Sequence, residues 1–367
     1  MNQRSKRKRH NKAAWIWSAA LTLALLAACA PLTREAPADS TGAGPGSADS
    51  PAAGNGPAAA SPQPAARAQR QADFPRTIEL SGDKAVTIAA KPQRIVAISL
   101  DTAEAALELA GPSRIAAITR SIGNRSLAFQ AEEGEAVGSK LGSATAVDPE
   151  TILAMEPDLI LLTTQHGSEA DADRLLAQAG VPLVSFEPWN SLERIRRHFL
   201  LIGRLLGEEA RAEERIAEMT AKIADVQSRI ATVPAKPSLL VISPVGTNTG
   251  PYVLGPDSLA SDIVRRAGAV PAVESMGLRQ TAKADLEQVL KEDPDYILLA
   301  DWDGSGQKAY DEWMNDPGWQ TLKAVRHNRV KIIPAKYVMT ASVQAAEGIE
   351  RIARWLHPAS FGEGERP

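Results

Sequence analysis

This 367-residue sequence predicts an α/β protein with two similar lobes, parallel sheets, one long joining helix and a ligand cleft between the lobes. Three observations carry that expectation. Seventeen residues occur twice: Asp148-Pro-Glu-Thr-Ile-Leu-Ala-Met-Glu-Pro-Asp-Leu-Ile-Leu-Leu-Thr-Thr164 returns 137 positions later as Asp285-Leu-Glu-Gln-Val-Leu-Lys-Glu-Asp-Pro-Asp-Tyr-Ile-Leu-Leu-Ala-Asp301, with eight identities. That separation exceeds a solenoid period of roughly 20–50 residues, so it marks two lobes rather than an array. Short apolar strands alternate with helices, which argues for parallel sheets. The longest helical stretch, Ser191 to Thr232, lies between the two copies.

Six Lys/Arg and no acid stand in residues 4–12, followed by an apolar run from Ala13 to Ala28 that ends Leu26-Ala27-Ala28-Cys29. This is the anatomy of a secretory signal, 1–28, closed by a lipobox. At 16 residues, this run is short for a membrane span. Cys29 is the sole cysteine, so it forms no internal disulfide and is expected to carry lipid. Residues 29–73 are mostly Ala, Pro, Gly, Ser and Gln and are expected to form a tether without a core. Such a tether has a root-mean-square span of roughly 35–40 Å. Without the signal, 35 basic residues face 44 acidic ones, a charge of −9 that gives no support to nucleic-acid binding.

The first lobe is expected over 74–207. It starts with an edge hairpin at Thr77–Leu80 and Ala85–Ile88. Arg94–Ser99 is a buried strand, followed by a helix capped near Asp101 with Glu104 three residues later. Arg114–Thr119 is a second strand. The first repeat copy adds a helix and the strand Leu159–Thr163. A helix near Glu169–Ala179 leads to the strand Leu183–Phe186. The linking helix is expected over 208–232, after a break at Gly207. It has Ile216, Met219, Ile223, Val226 and Ile230 on one face and a length of about 35 Å. The second lobe, 233–358, restarts at Ser238–Ser243. It continues through Tyr252–Gly255, a helix at Ser258–Ala267, the second repeat copy, a strand at Arg329–Ile333 and a helix at Val343–Leu356. Residues 359–367 form a tail.

Pro92-Gln-Arg-Ile-Val-Ala-Ile-Ser99, Asp148-Pro-Glu150 through Leu162, Ala179-Gly-Val-Pro-Leu-Val184, Gly255-Pro-Asp-Ser258, Glu287 through Leu299, and Pro317 through Val325 with Arg329-Val330 stand in a characteristic order. In them the chain resembles the helix-linked (class III) substrate-binding lipoproteins of bacterial ABC importers for iron–siderophore complexes and vitamin B12. The resemblance implies two Rossmann-like lobes, a rigid linking helix, small closure movements and delivery of a ligand to a permease dimer. It also implies that Glu150 and Glu287 are the two docking points for that permease. Read alone, each Glu is a favourable charge in a first helical turn.

Ligands of open parallel sheets bind beyond the C-terminal strand ends. That rule selects Ser99–Asp101, Thr119–Arg120, Gln165–His166, Glu187–Trp189, Asp301–Trp302 and Lys336–Tyr337, and the resemblance adds Tyr252 and Arg279. A large chelate needs flat aromatic contacts and charge-assisted bonds to its oxygens. Arg120 and Arg279 serve as anion anchors or as surface ion-pair partners. Trp189 and Trp302 line a pocket or pack the lobe edges, and Tyr252 and Tyr337 are further contacts. His166 touches the ligand or ligates a haem iron. Trp313, Trp319 and Trp355 are expected to pack structurally. Asp101 and Glu104 are read as a helix cap.

Beyond His166, the histidines past the signal are His198, His327 and His357, too dispersed for the three or four ligands a bare metal needs. No resident cofactor is expected, and iron enters only inside a bound chelate. No Gly-x-Ser-x-Gly elbow or zinc-protease helix occurs, so a non-enzymatic carrier is expected. The leading function is therefore a monomeric lipoprotein, anchored on the extracytoplasmic face of the cell membrane, that passes a ferric siderophore to an ABC importer. Cobalamin or haem as ligand, and an anchored envelope hydrolase or sensor, remain as alternatives.

Overall fold

The computed structural model describes residues 74–80, 82, 84–142, 148–164, 167–245 and 250–362. All of them belong to one unit, 60–367. The signal, the tether with Cys29, Gln165, His166 and the last five tail residues lie outside the described residues.

The first lobe opens with an antiparallel hairpin, β1 (Arg76–Glu79) and β2 (Ala85–Ile88). There follow β3 (Ile95–Ala97), α1 (Leu100–Ala110), β4 (Ile115–Thr119), α2 (Ala131–Glu135), β5 (Lys140–Leu141), α3 (Pro149–Leu153), β6 (Leu159–Thr163), α4 (Gly167–Leu176), β7 (Leu183–Phe186) and α5 (Leu192–Leu206). Its sheet has the order β5-β4-β3-β6-β7, and every pairing is parallel. α5 ends at Gly207, whose φ of +68° is the left-handed conformation that glycine adopts without steric cost. The linking helix α6 then runs over Glu209–Ile230.

The second lobe contains β8 (Ser238–Ser243), β9 (Tyr252–Val253), α7 (Leu259–Arg266), β10 (Val270–Pro271), β11 (Ala282–Lys283), α8 (Leu286–Glu292), β12 (Tyr296–Asp301), α9 (Asp311–Met314), α10 (Lys323–Arg326), β13 (Val330–Pro334), α11 (Lys336–Met339) and α12 (Ala345–Leu356). Its main order is β11-β9-β8-β12-β13. β8, β12 and β13 run parallel, but β9 and β11 are antiparallel additions. The parallel strands thus carry an antiparallel pair at one edge of this sheet. Only eight residues separate β8 from β9, too few for the crossover of a dozen or more that a parallel return requires.

The repeat holds at the level of side chains. β6 and β12 each lie beside the central strand of their sheet, β3 and β8. Matched residues Ile152 and Val289, Ile160 and Ile297, and Leu162 and Leu299 fill the outer core of their own lobe. Matched Leu161 and Leu298 face inward, to one core that contains residues of both lobes and of α6. From α6 that core takes Ala212, Ile216, Met219, Ile223 and Val226, the spacing of a single helical face. Ile230, expected on that face, is only half-buried because the helix is ending.

Ion pairs fix the start of α6. Glu208 meets Arg114 at 2.7 Å and Lys91 at 2.8 Å, and Glu209 meets Arg76. Farther along, Lys222 reaches Glu350 of α12 at 2.9 Å. Close backbone approach fixes α12 against α11: a Cβ on Gly348 would lie 1.8 Å from the Tyr337 carbonyl oxygen. Gly348→Ala is therefore expected to cost about 1–3 kcal/mol or more by overpacking. Gly123→Ala, with nothing within 4 Å of its Cβ, serves as the control. Guanidinium unfolding curves of the two variants check this.

Candidate ligand-binding cleft

The C-terminal ends of the parallel strands define one edge of each lobe. In the first lobe that edge is polar. The Ser99 hydroxyl accepts the Thr163 N–H at 3.0 Å, and Thr163 Oγ1 donates to Asp101 Oδ1 at 2.9 Å. Asp101 Oδ1 also accepts the Thr102 N–H at 2.8 Å. Burial pushes the Asp101 carboxyl up to about 6; these hydrogen bonds pull it down and the nearby Glu169 charge pushes it further up. Glu169 is itself buried near the start of α4. Thr163 and Glu169 were not singled out from the sequence. The signal that marks Thr163 is its position as the last residue of an apolar strand. Glu169 carries no such mark, since an acid in a first helical turn is ordinary.

In the second lobe, Asp301 Oδ1 accepts the N–H groups of Gly304 at 2.9 Å and Gly306 at 3.2 Å. Both glycines have positive φ. This turn holds Trp302 half-buried, with its carbonyl accepting Asn124 Nδ2 of the other lobe at 2.9 Å. Behind it, the Tyr310 hydroxyl donates to Ala300 O (2.8 Å) and Ile242 O (3.1 Å), which ties the ends of β12 and β8. Burial raises that phenol above its ordinary value, so it stays a donor. Tyr252 is half-buried on β9 and pairs with Ser243 and Lys283.

Further bonds cross between the lobes. Lys336 N donates to Ser126 O at 2.8 Å, and Thr340 Oγ1 donates to Leu127 O. Gln344 Nε2 reaches Glu108 Oε2 at 3.2 Å. Elsewhere, Asn190 Nδ2 donates to Asp257 O at 2.9 Å, and Leu192 N to Asp262 Oδ2 at 2.8 Å.

Three sequence expectations are corrected here. Trp189 is 4% exposed and packs with Phe186 and His198, at ring separations of 5.6 and 4.9 Å, so it belongs to the core instead of the cleft lining. The turn after β7 folds its indole back onto α5. Burial also lowers the His198 imidazole to about 4, and the Arg197 charge lowers it further. Tyr337 stands edge-on to Phe129 at 5.6 Å under the Arg351 guanidinium, so its ring packs the seam between the lobes. Finally, Asp101 and Glu104 do not cap α1. Its cap residue is Ser99, with no side-chain cap bond, and Glu104 is 1% exposed.

Arg120 follows β4 and Arg279 lies on the loop before β11. Both are exposed, and neither makes a hydrogen bond or ion pair among the described residues. Glu150 and Glu287 are exposed in the first turns of α3 and α8. Their N–H groups bond the caps Asp148 and Asp285 at 3.1 and 3.0 Å. Among the described residues no three His, Cys, Asp or Glu side chains converge as a metal set, and no helix is long and apolar enough to cross a membrane.

Comparison with known proteins agrees with this architecture. An ABC transporter substrate-binding lipoprotein of Bacillus subtilis (strain 168), YvrC, is 25% identical over 297 residues, covering 80% of this chain and 90% of that one. The Fe(3+)-citrate-binding protein YfmC of the same organism is 23% identical over 245 residues, covering 66% and 74%. Among solved structures, the periplasmic heme-binding protein RhuT from Roseiflexus sp. RS-1 in apo form superposes with a TM-score of 0.62 at 21% identity, over 73% of this chain and 99% of that one. Residues 95–337, from β3 into α11, match the sequence model for periplasmic binding proteins. This chain belongs to that family.

Proposed function

We propose that this protein is a lipid-anchored extracytoplasmic carrier that binds an iron(III)–siderophore complex between its lobes and delivers it to the permease dimer of an ABC importer. The observation that carries the ligand class is the pair Arg120 and Arg279, one on each lobe, both exposed and without a protein partner among the described residues. Arginines without protein acceptors suit an anionic chelate, whose oxygens accept charge-assisted bonds. In this reading Trp302 and Tyr252 supply flat apolar surface to the ligand, and His166 adds a polar contact. The protein acts as a monomer and has no resident cofactor, and iron enters only within the chelate. The curated relative named for ferric citrate supports an iron chelate as cargo.

The test is a ligand screen by tryptophan fluorescence and calorimetry with ferric siderophores, cobalamin and haem. A ferric siderophore is expected to bind and to perturb Trp302 emission. Arg120→Ala/Arg279→Ala is expected to weaken it by about a hundredfold or more, since each charge-assisted bond contributes roughly 1.5–3 kcal/mol. Binding of cobalamin or haem alone would overturn the siderophore assignment.

Glu150 and Glu287 occupy the same position in both repeat copies, which suits a partner with two similar subunits. Glu150→Ala/Glu287→Ala is expected to keep ligand affinity and to lose transport. Uptake by this variant at the wild-type rate would exclude the docking role.

Anchoring rests on Cys29. Two acyl chains anchor stably where one does so marginally. Cys29→Ala is expected to shift the protein from the membrane to the soluble fraction, and mass spectrometry of the wild-type N-terminal peptide is expected to show lipid on the cysteine.

A further inference from the structure

The flank of the second lobe formed by β13 and α12 carries cations stacked on aromatic rings. The Arg329 guanidinium lies over Tyr296, 5.0 Å from the ring centre. Tyr296 stands edge-on to Trp355 at 5.0 Å. The Lys331 ammonium lies 5.9 Å from the centre of the Trp355 ring. One turn before Trp355 on α12, the Arg351 guanidinium lies 4.4 Å from the centre of Tyr337. Residues four apart share a helix face, so Arg351 and Trp355 point to the same side. Tyr296 and Trp355 pack one side against the core and stay half-buried.

These cations have no carboxylate partner. Among the described residues, the side chains of Arg329, Lys331 and Arg351 make no ion pair or hydrogen bond. The neighbouring acids are engaged elsewhere or stand apart. Glu350 is held by Lys222 at 2.9 Å and Arg354 at 2.7 Å, and Asp295 by Lys323 at 3.1 Å. Glu347, one turn before Arg351, makes no ion pair with it. Burial holds the Lys331 ammonium below its ordinary value, and the Arg351 charge lowers it further. The flank therefore bears mutual repulsion that an external anion would relieve. Stacking leaves the cations available for that anion: the ring meets the guanidinium plane, while the N–H groups at its rim still donate.

We propose that this flank is a membrane-facing surface, on which the phosphates of anionic lipid headgroups meet Arg329, Lys331 and Arg351 while Tyr296 and Trp355 sit at headgroup level. Three observations favour a bilayer as the occupant. The cations rest on three different rings, so they are spread along a flank instead of gathered in one pocket. Trp and Tyr beside Lys and Arg are the side chains that prefer the boundary between water and bilayer. Residues 29–73 reach roughly 150 Å at full extension, so a chain anchored at Cys29 can turn this flank to the membrane. Only the last point rests on the proposed anchoring. Contact of this kind keeps the carrier near the plane of its permease.

Flotation of the mature chain carrying Cys29→Ala, which has no acyl group, with lipid vesicles tests the proposal separately from anchoring. The wild-type flank is expected to bind an equal mixture of phosphatidylglycerol and phosphatidylcholine, to ignore phosphatidylcholine alone, and to bind less as salt rises. Arg329→Gln/Lys331→Gln/Arg351→Gln is expected to lower the partition by about a hundredfold, at about fivefold per cation. Arg211→Gln/Lys236→Gln/Lys291→Gln removes the same charge at exposed positions elsewhere and is expected to bind as the parent does. The mixed vesicles are also expected to shift tryptophan emission, and Trp355→Phe to abolish that shift, which keeps the test available if the triple variant does not fold. No parent binding to the mixed vesicles, equal binding to the neutral ones, undiminished binding by the flank variant, an equal loss in the control, or the same emission shift in Trp355→Phe overturns the proposal. So does saturable binding of inorganic phosphate with the vesicles left unbound, which would mark a small-anion site.

Discussion

One apolar core runs through both lobes and the linking helix, and the rest of the structure depends on it. It joins Leu161 of β6 to Leu298 of β12 through Ile216, Met219, Ile223 and Val226 of α6. A hinge between lobes with separate cores can swing widely at little cost. Here a wide swing would expose apolar surface at roughly 25 cal/mol per Å², so a few hundred Å² would cost several kcal/mol. The lobes are therefore held near one mutual arrangement, and ligand capture has to work through small displacements at the strand ends. The ion pairs of Glu208, Glu209 and Glu350 act on top of that core by setting where α6 begins and how α12 lies along it.

The cleft edges are built from the same economy of backbone groups. A parallel strand ends with carbonyl and N–H groups that have lost their ladder partners. Ser99, Thr163 and Asp101 satisfy those of the first lobe, and Asp301 and Tyr310 those of the second. The residues that pin the edge are thus polar and partly or wholly buried, whereas Arg120 and Arg279 stay exposed. The seam formed by Asn124, Ser126, Leu127 and Glu104 lies between these two roles. It closes the lobes against each other through hydrogen bonds and the packing of Phe129 on Tyr337.

Most elements were legible in the sequence because their signals are local. Asp148 and Asp285 cap their helices as expected, since an Asp followed by a first-turn Glu requires only neighbouring atoms. The strands Leu159–Thr163, Leu183–Phe186 and Ser238–Ser243 fall where apolar runs place them. Gly207 ends one helix because left-handed backbone is a property of that residue. The repeat foretold a matched pair of lobes, and even the inward and outward faces of β6 and β12 follow from strand alternation. The antiparallel β9 and β11 were not legible as sheet strands, because each is only two residues long and gives too short a run for a strand pattern.

The candidate site was legible only as a set of positions. The strand-end rule selected Asp101, Arg120 and Trp302 together with Trp189 and Tyr337, and the rings of the last two pack into the core and the seam. A rule about backbone ends says where a residue begins and nothing about where its side chain points. Glu104 shows the same limit. By spacing it is a capping residue; its actual environment is made by Phe129, Gln130 and Ser342, contributed by a loop 25 residues away and by the other lobe. The sequence by itself determined the elements, their duplication and the membership of each core face, all set by neighbours within a turn or a strand. Tertiary structure alone decided which polar groups are buried and what faces them, because burial is a property of the packed whole.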